Sequence, residues 1–224
     1  EVAREGSPFP TDSKTFDLIV NNVPPTADAG LDQVVECVSG LSVSLDATGS
    51  TDPGDDTLAF AWTFTAVPGG TEPSFDDAAS ATPSFQPQDL GTYEALVTVT
   101  DDDLASGTDN VSITFEDTTP PVISSVSSIP NVLWPPNHKM VPVEVRVSAT
   151  DACDEAPVCS IISIESSEPD DGMADSNITG DLTAYLRAER LGTGSSRVYT
   201  MVVECTDTAG NSATETTIVT VPHD

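Results

Sequence analysis

The stretch Tyr93-Glu-Ala-Leu-Val-Thr-Val99 places an aromatic or aliphatic side chain at every second position. Successive side chains of a β-strand point to opposite faces, so this spacing predicts a strand with one buried face. The same period of two recurs in residues 41–47, 58–64 and 111–115. Short strands of this kind, separated by Gly, Pro, Asp and Ser turns, predict a sandwich or a barrel.

The strand pattern stops and restarts near residue 118. Asp117-Thr-Thr-Pro-Pro121 ends one run of strands, and its double proline cannot donate ladder hydrogen bonds. New alternating faces follow in residues 141–149 and 199–205. Residues 181–190 come nearest to a helix, but their apolar residues also alternate, which favours a strand. We therefore predict an all-β protein with two tandem immunoglobulin-like β-sandwiches, at residues 24–117 and 118–224.

Residues 1–23 contain one isolated strand, Thr15-Phe-Asp-Leu-Ile-Val-Asn-Asn22, ahead of a second double proline. Two interpretations stay open for it. It is either the end of a preceding domain or a strand donated to the sheet edge of a neighbouring chain. Repeated head to tail, such donation would build an open extracellular filament.

The composition is strongly acidic, with 37 Asp and Glu residues against 7 Lys and Arg and a formal net charge of −30 at pH 7. Such a surface repels nucleic acid and anionic membranes, and it favours solubility or cation binding. The chain has no apolar run of about 18 residues, so we expect no membrane insertion.

Catalytic motifs are missing from the sequence, and we predict that the chain is not an enzyme. It contains no nucleophile elbow, zinc-protease motif or phosphate-binding glycine loop. His138 lies in Trp134-Pro-Pro-Asn-His-Lys-Met140, which we interpret as a rigid turn that packs Trp134 and satisfies backbone groups.

Four cysteines, none with a histidine nearby, predict disulfides and therefore an extracellular or cell-surface location. Cys205 shares the inward phase of its strand and Cys159 opens the expected neighbouring strand, so we predict the pair Cys159–Cys205. Cys37 is expected at the bottom of the first domain and Cys153 at the top of the second, which predicts an interdomain bond. The alternative pairs Cys153 with Cys159.

Aspartates crowd the loops that meet at one end of each predicted sandwich. Crowded carboxylates repel one another unless a cation neutralises them, and Ca²⁺ accepts about six to eight oxygen ligands in tolerant geometry. The predicted ligands in the second domain are Asp117, Asp151, Asp207 and Asn211. Those in the first are Asp28, Asp52, Asp101 and Asp103. The alternative is that Asp and Asn are only good turn residues.

Several stretches of the first domain are shared with a known family: Pro25-Thr-Ala-Asp-Ala-Gly30, Leu45-Asp-Ala-Thr-Gly-Ser-Thr-Asp-Pro53, Trp62, Gly91-Thr-Tyr93 and Val97-Thr-Val-Thr-Asp101. On these residues, 24–117 resembles the PKD domain of bacterial extracellular proteins. One departure is the run Thr-Phe-Thr-Ala-Val-Pro-Gly-Gly after Trp62, where the family usually has an Asp-Phe-Gly-Asp-Gly turn.

The second domain carries Leu133-Trp-Pro-Pro-Asn-His-Lys-Met140, Ala149-Thr-Asp-Ala-Cys-Asp154 and Cys205-Thr-Asp-Thr-Ala-Gly-Asn211. With these it is similar to the HYR-type immunoglobulin-like modules that often follow PKD domains. The resemblance implies a non-catalytic structural or adhesive module whose partners are other domains of the protein or identical subunits. The alternative that it leaves open is a polysaccharide- or protein-binding accessory module of a secreted enzyme.

Overall fold

The computed structural model describes residues 21–169, 172–192 and 195–223, and these ranges contain strands and no helix. The prediction of an all-β chain with tandem sandwiches is therefore confirmed. No helix in the described ranges is long and apolar enough to cross a membrane. Residues 15–20 of the predicted leading strand lie outside the described ranges, so strand donation and filament assembly stay predictions.

The first domain has six strands in two sheets. The strands are β1 (Gln33–Glu36), β2 (Val43–Ser44), β3 (Ala59–Ala66), β4 (Ser84–Phe85), β5 (Gly91–Thr100) and β6 (Ser106–Glu116). One sheet has the order β1-β6-β5-β3, with β1 parallel to β6, and β2 pairs with β4 in the other.

Alternate residues of these strands fill the core between the sheets, as the period of two predicts. Trp62 is 3% exposed and its indole Nε1 donates a hydrogen bond to the Ser80 carbonyl at 3.1 Å. A buried aromatic side chain with its N–H satisfied stabilises a core without a polar penalty. The other core residues include Val43, Leu45, Ala47, Tyr93, Ala95, Val97, Val99, Val111, Ile113 and Phe115.

In its described residues, the second domain has seven strands in two sheets. The strands are β7 (Val122–Ile129), β8 (Met140–Thr150), β9 (Val158–Ser166), β10 (Ser176–Gly180), β11 (Thr183–Arg187), β12 (Arg197–Thr206) and β13 (Ser212–Val221). The sheets have the orders β10-β11-β8-β7 and β13-β12-β9. The segment that came nearest to a helix contains β11, with Ala184 and Leu186 buried, so its assignment as a strand is confirmed.

Two disulfides join the pairs expected from the sequence. Cys159 and Cys205 are directly opposite in the ladder between β9 and β12, with their Cα atoms 4.0 Å apart. Cys37 and Cys153 join the two domains across a sequence separation of 116 residues, with a Cα–Cα distance of 5.9 Å. The alternative pair, Cys153 with Cys159, is not formed.

Trp134 corrects one expectation, because its side chain is 58% exposed where we expected it to pack in its turn. Leu133 occupies the core instead, at 1% exposure. Because adjacent side chains of an extended segment point to opposite sides, Trp134 then points outward. The turn itself satisfies backbone groups as expected. The Lys139 amide donates to Asn137 Oδ1 at 3.2 Å, and the His138 amide donates to the Ala188 carbonyl at 2.9 Å.

Each domain buries a tyrosine whose hydroxyl bonds to backbone. In the first domain, Tyr93 OH accepts hydrogen bonds from the Gln88 and Asp89 amides, both at 3.0 Å, and donates to the Asp89 carbonyl at 2.9 Å. In the second, Tyr199 OH donates to the Arg187 carbonyl at 2.9 Å. Such a tyrosine fixes the corner where the chain passes from one sheet to the other.

We expect Tyr93→Phe to lower the free energy of unfolding by about 2 kcal/mol, because two amides and a carbonyl lose their buried partner. Tyr199→Phe loses one hydrogen bond, so about 1 kcal/mol is expected. Tyr185→Phe, at a 41% exposed side chain, is the matched control. Urea unfolding followed by circular dichroism measures all three, and a Tyr93→Phe chain as stable as the control would contradict the assignment.

Candidate cation sites at the ends of the domains

The end of the first domain meets two loops of the second at a place that we call the joint. It comprises residues 36–37, 117–119, 151–154 and 207–211. The chain enters it from β6, and the loops β8–β9 and β12–β13 reach it from the second domain. The joint therefore brings Asp117, Asp151, Asp207 and Asn211 together, as the sequence analysis predicts.

Asp117 lies at the centre of the joint and is only 8% exposed. Its Oδ1 accepts a hydrogen bond from the Thr119 amide at 3.3 Å, whereas its Oδ2 is buried without a hydrogen-bond partner. Burial raises the pKa of Asp117, and the charges of Asp151, Asp207 and Glu36 raise it further against the opposing hydrogen bond from Thr119. The ionised carboxylate is therefore destabilised where it stands.

Asp151 presents a second buried oxygen without a partner. Its Oδ1 accepts hydrogen bonds from the amides of Cys153 and Asp154 at 2.8 and 3.1 Å, while its Oδ2 has no hydrogen bond. Two such oxygens, on neighbouring carboxylates, match the donor preference of a hard divalent cation.

Asp207 and Asn211 hold the joint together by hydrogen bonds to each other. Asp207 Oδ1 accepts from the Asn211 amide at 2.7 Å, and its Oδ2 accepts from Asn211 Nδ2 at 3.0 Å. Asn211 Nδ2 also donates to the Asp117 carbonyl at 3.0 Å. Burial acts to raise the pKa of Asp207, but these hydrogen bonds together hold it below its usual range. Asn211 thus positions the two aspartates through its side-chain nitrogen, and its Oδ1 stays a predicted cation ligand.

Glu36 is a joint residue that the sequence analysis missed. Its carboxylate accepts hydrogen bonds from the Thr118 amide at 2.8 Å, from Thr118 Oγ1 at 2.9 Å and from Thr119 Oγ1 at 2.8 Å. The hydrogen bonds from Thr118, with that from Thr119, lower the pKa of Glu36. Its position directly before Cys37 was the one available signal, because a residue next to an interdomain bond must lie at the joint.

The opposite end of the first domain holds the closest groups of carboxylates in the described residues. Oxygens of Asp52, Asp56 and Asp101 lie within 4.8 Å of one another, and so do oxygens of Asp56, Asp102 and Asp103. We call these five residues the amino-end cluster. Burial raises the pKa of Asp56, and the neighbouring aspartates raise it further. Asp52 Oδ2 is buried without a hydrogen-bond partner.

The predicted ligands of the first domain divide between these groups. Asp52 and Asp101 share one group, whereas Asp103 belongs to the other with Asp102, and Asp56 is common to both. Asp28 belongs to neither group, and its Oδ1 accepts a hydrogen bond from the Gly30 amide at 2.9 Å. The joint aspartates do not form a group as close as 4.8 Å, although they raise the pKa of Asp117.

The loops of the two ends repeat each other. Thr51-Asp52-Pro-Gly54 corresponds to Thr150-Asp151-Ala-Cys153, and in both turns the amide two residues on donates to aspartate Oδ1. Asp101 and Asp207 likewise accept, through Oδ1, the amide four residues on, at 2.8 and 2.7 Å. The fourth residue of each of these loops has positive φ, at 69° for Leu104 and 96° for Gly210. One loop design thus presents carboxylates at both ends of the first domain.

Basic side chains cannot neutralise the amino-end cluster from within its own domain, because the sequence has no Lys or Arg between Lys14 and Lys139. Of the two histidines in the described ranges, His138 lies before β8, and the joint lies after that strand. That strand spans roughly 30 Å at about 3.3 Å per residue. The donor set at either end therefore suits cation binding and offers no acid–base pair involving His138.

Comparison with known proteins identifies the first domain. Residues 29–115 match the family model described as K319L-like, PKD domain. No curated protein sequence matches the chain. The resemblance of the second domain to HYR-type modules, the bacterial origin and the division at residue 117 remain predictions.

Three solved structures illustrate the similarity. The PKD1 domain of Vibrio anguillarum Epp is 31% identical over 43% of this chain and 99% of its own, with a TM-score of 0.32. A nucleoside hydrolase-related hypothetical protein from Saccharophagus degradans, associated with carbohydrate metabolism, is 25% identical over 42% of this chain, with a TM-score of 0.38. The match spans about a quarter of that protein, 26% of its chain. Human protocadherin-24 EC1-2 is 12% identical over 91% of this chain and 100% of its own, with a TM-score of 0.38.

The family match, together with the strand order and the buried Trp62, leads to one conclusion: residues 29–115 form a PKD-like domain, which is the first of the two sandwiches.

Proposed function

We propose that the chain is a non-catalytic, extracellular structural or adhesive module in which two sandwiches act as a spacer with a fixed joint. Its partners would be other domains of the same protein or identical subunits. The two disulfides support an oxidising location, because such bonds persist outside the cytosol. The PKD-like first domain is in keeping with this role.

The observation that carries this proposal is the bond between Cys37 and Cys153. It joins two domains that are already connected by the chain at residue 117, so the joint has two covalent connections. Glu36 adds hydrogen bonds from the first domain to Thr118 and Thr119 in the linker. Two connections at separate points restrict the rotation that a single linker allows.

Calcium is the proposed cofactor at both ends of the first domain. The ligands would be Asp117 and Asp151 at the joint, with Asp207 beside them. Asp52, Asp56, Asp101 and Asp103 would serve at the amino-end cluster, and Asp28, which lies outside both close groups, stays a predicted ligand. A cation would supply the partner that the buried oxygens of Asp52, Asp117 and Asp151 lack.

A second candidate function, binding of a polysaccharide, is favoured by the exposure of Trp134. Aromatic rings stack on sugar faces, and the Trp134 ring is accessible because the residue is 58% exposed. Tyr185, also exposed, lines a groove of about 480 Å³ with Ile129 and Pro142 on the outer face of its sheet. This surface would make the chain an accessory module.

We expect small-angle X-ray scattering to distinguish a fixed joint from a flexible one. The wild-type chain should give a single compact two-domain profile. Cys37→Ser with Cys153→Ser should increase the radius of gyration, because like charges at the joint then drive the domains apart. Asp52→Asn changes the other end of the domain and is the control. An unchanged profile in the double variant would show that the disulfide does not fix the joint.

We expect millimolar Ca²⁺ to raise the melting temperature of chelator-treated protein by about 5 °C, since a ligand of the native state stabilises it. Asp117→Asn should raise the melting temperature in chelator, because it removes a buried, repelled charge, and it should reduce the gain from Ca²⁺. Glu72→Gln, an exposed residue with the same charge change, should alter neither value. Equal behaviour of the two variants in differential scanning calorimetry would count against the joint site.

We expect soluble polysaccharides to quench tryptophan fluorescence only if the second candidate is right. Trp62 is buried, so Trp134 would carry the signal. Trp134→Ala should abolish the quenching and leave the melting temperature within about 1 °C, as for an exposed side chain. A panel of soluble polysaccharides that leaves the emission unchanged would remove this candidate.

A further inference from the structure

The first-domain half of the joint is a short connected path from Asp117 to Cys37. Asp117 is followed by Thr118, whose amide and hydroxyl both donate to Glu36. Glu36 is followed in turn by Cys37, and the Cys37 amide donates to the Glu116 carbonyl at 2.7 Å. The position of the Asp117 carboxylate is thus tied to the position of the Cys37 sulfur.

The second-domain half is equally short. The Cys153 amide donates to Asp151 Oδ1, so the cysteine and the aspartate belong to one turn. Asp154 closes the turn against the next loop by accepting hydrogen bonds from the amide and the hydroxyl of Thr208. Asp151 Oδ2 is therefore held in place by the same turn that presents Cys153.

The Cys37–Cys153 bond joins these two halves, so that a continuous path of covalent and hydrogen bonds connects Asp117 with Asp151. Both aspartates keep a buried oxygen without a hydrogen-bond partner. Asp117 is more than nine-tenths buried and is repelled by the charge of Asp151. The disulfide thus holds together two carboxylates that would otherwise move apart.

We propose that the joint is a divalent-cation site whose two main ligands, Asp117 and Asp151, are positioned by the Cys37–Cys153 disulfide, so that Ca²⁺ affinity and the state of this disulfide are linked. The inference rests on the proposed calcium site and states what regulates its affinity. With the bond closed, the two carboxylates are already held near each other in the cation-free protein, so cation binding does not include the free energy of bringing them together. With the bond open, that unfavourable free energy is part of the binding reaction, and the cation binds more weakly.

Linkage makes the effect reciprocal, because the factor by which the disulfide raises calcium affinity is the factor by which calcium favours the disulfide. A dithiol reductant attacks one sulfur of the bond and leaves as a cyclic disulfide, so the protein gains two thiols and the reagent is oxidised. Cys37 and Cys153 line an open cleft of about 330 Å³, which gives the reagent access. Reduction should therefore be less favourable with calcium bound.

The amino-end cluster provides a control within the same molecule. Its turn has the same aspartate geometry, with Asp52 in place of Asp151, but Gly54 stands where the joint has Cys153. No disulfide can therefore position Asp52. Calcium binding there should be independent of the redox state of the joint.

Isothermal titration with CaCl₂ tests the linkage. In an Asp56→Asn background, which removes the residue common to both amino-end groups and so isolates the joint, Cys37→Ser with Cys153→Ser should weaken Ca²⁺ binding roughly tenfold or more, as removal of a group that orients a ligand does. In an Asp151→Asn background, which isolates the amino-end cluster, the same pair of changes should leave the affinity within about twofold.

The wild-type disulfide supplies a second measurement that does not depend on the variants folding. Chelated and calcium-loaded protein are equilibrated with graded dithiothreitol, the thiols are alkylated, and peptides containing Cys37 and Cys153 are quantified by mass spectrometry. Calcium should shift the midpoint for this bond toward stronger reductant, by the same factor as the titration. Cys205 is fully buried, so alkylation of the Cys159–Cys205 pair reports global unfolding.

The possible results distinguish failure of the linkage from failure of the proposed calcium site. Joint calcium affinity that is equal with and without the disulfide, together with an unshifted midpoint, overturns the linkage and leaves the calcium site standing. No heat of binding at the joint of the wild-type chain overturns both.

Discussion

The connection between the two sandwiches depends on one bond, that between Cys37 and Cys153. Each domain has its own core and its own buried tyrosine, so neither needs the other to satisfy its backbone or to bury its apolar residues. What the bond adds is a fixed relation between loops that carry the same charge. Without it, the repulsion among the joint aspartates favours separation of the domains, and the linker, the hydrogen bonds to Glu36 and the hydrogen bond from Asn211 to the Asp117 carbonyl oppose it.

The negative charge at the domain ends destabilises the folded protein, and hydrogen bonds within the fold offset only part of this effect. Hydrogen bonds satisfy one oxygen of Asp151 and both oxygens of Asp207, but they leave one buried oxygen on Asp117 and one on Asp151 without a partner. Both oxygens lie where the two domains meet, and burial of a carboxylate oxygen without a hydrogen-bond partner lowers the stability of the fold. A cation from the surrounding medium is the counter-charge that such a site can use, since the first domain contributes no basic side chain.

Repetition of the same loops at both ends of the first domain suggests a general plan for joining domains. In the aspartate turns before β3 and after β8, aspartate Oδ1 accepts a hydrogen bond from the amide two residues on, and in the loops after β5 and β12 it accepts from the amide four residues on. The joint shows what such loops do when another domain lies against them. The amino-end cluster is the equivalent surface of the first domain, with more carboxylates and no cysteine. An extracellular array of sandwiches could be built by repeating this contact.

The sequence by itself determined the strands, the inward faces and the acidic loops, because burial of one strand face requires a period of two and loops require turn residues. It also predicted both disulfides, since strand phase and loop order place Cys159 opposite Cys205 and Cys37 at the joint. Only the tertiary structure decided the rest. Asp28 lies outside both close groups of carboxylates, Asn211 donates hydrogen bonds to Asp117 and Asp207, and Glu36 accepts hydrogen bonds from the linker. Trp134 faces outward because Leu133 takes the core position beside it. Some carboxylate oxygens accept hydrogen bonds and others have no partner. Which oxygens are bonded depends on which backbone amides lie within about 3 Å, and a sequence pattern does not contain that distance.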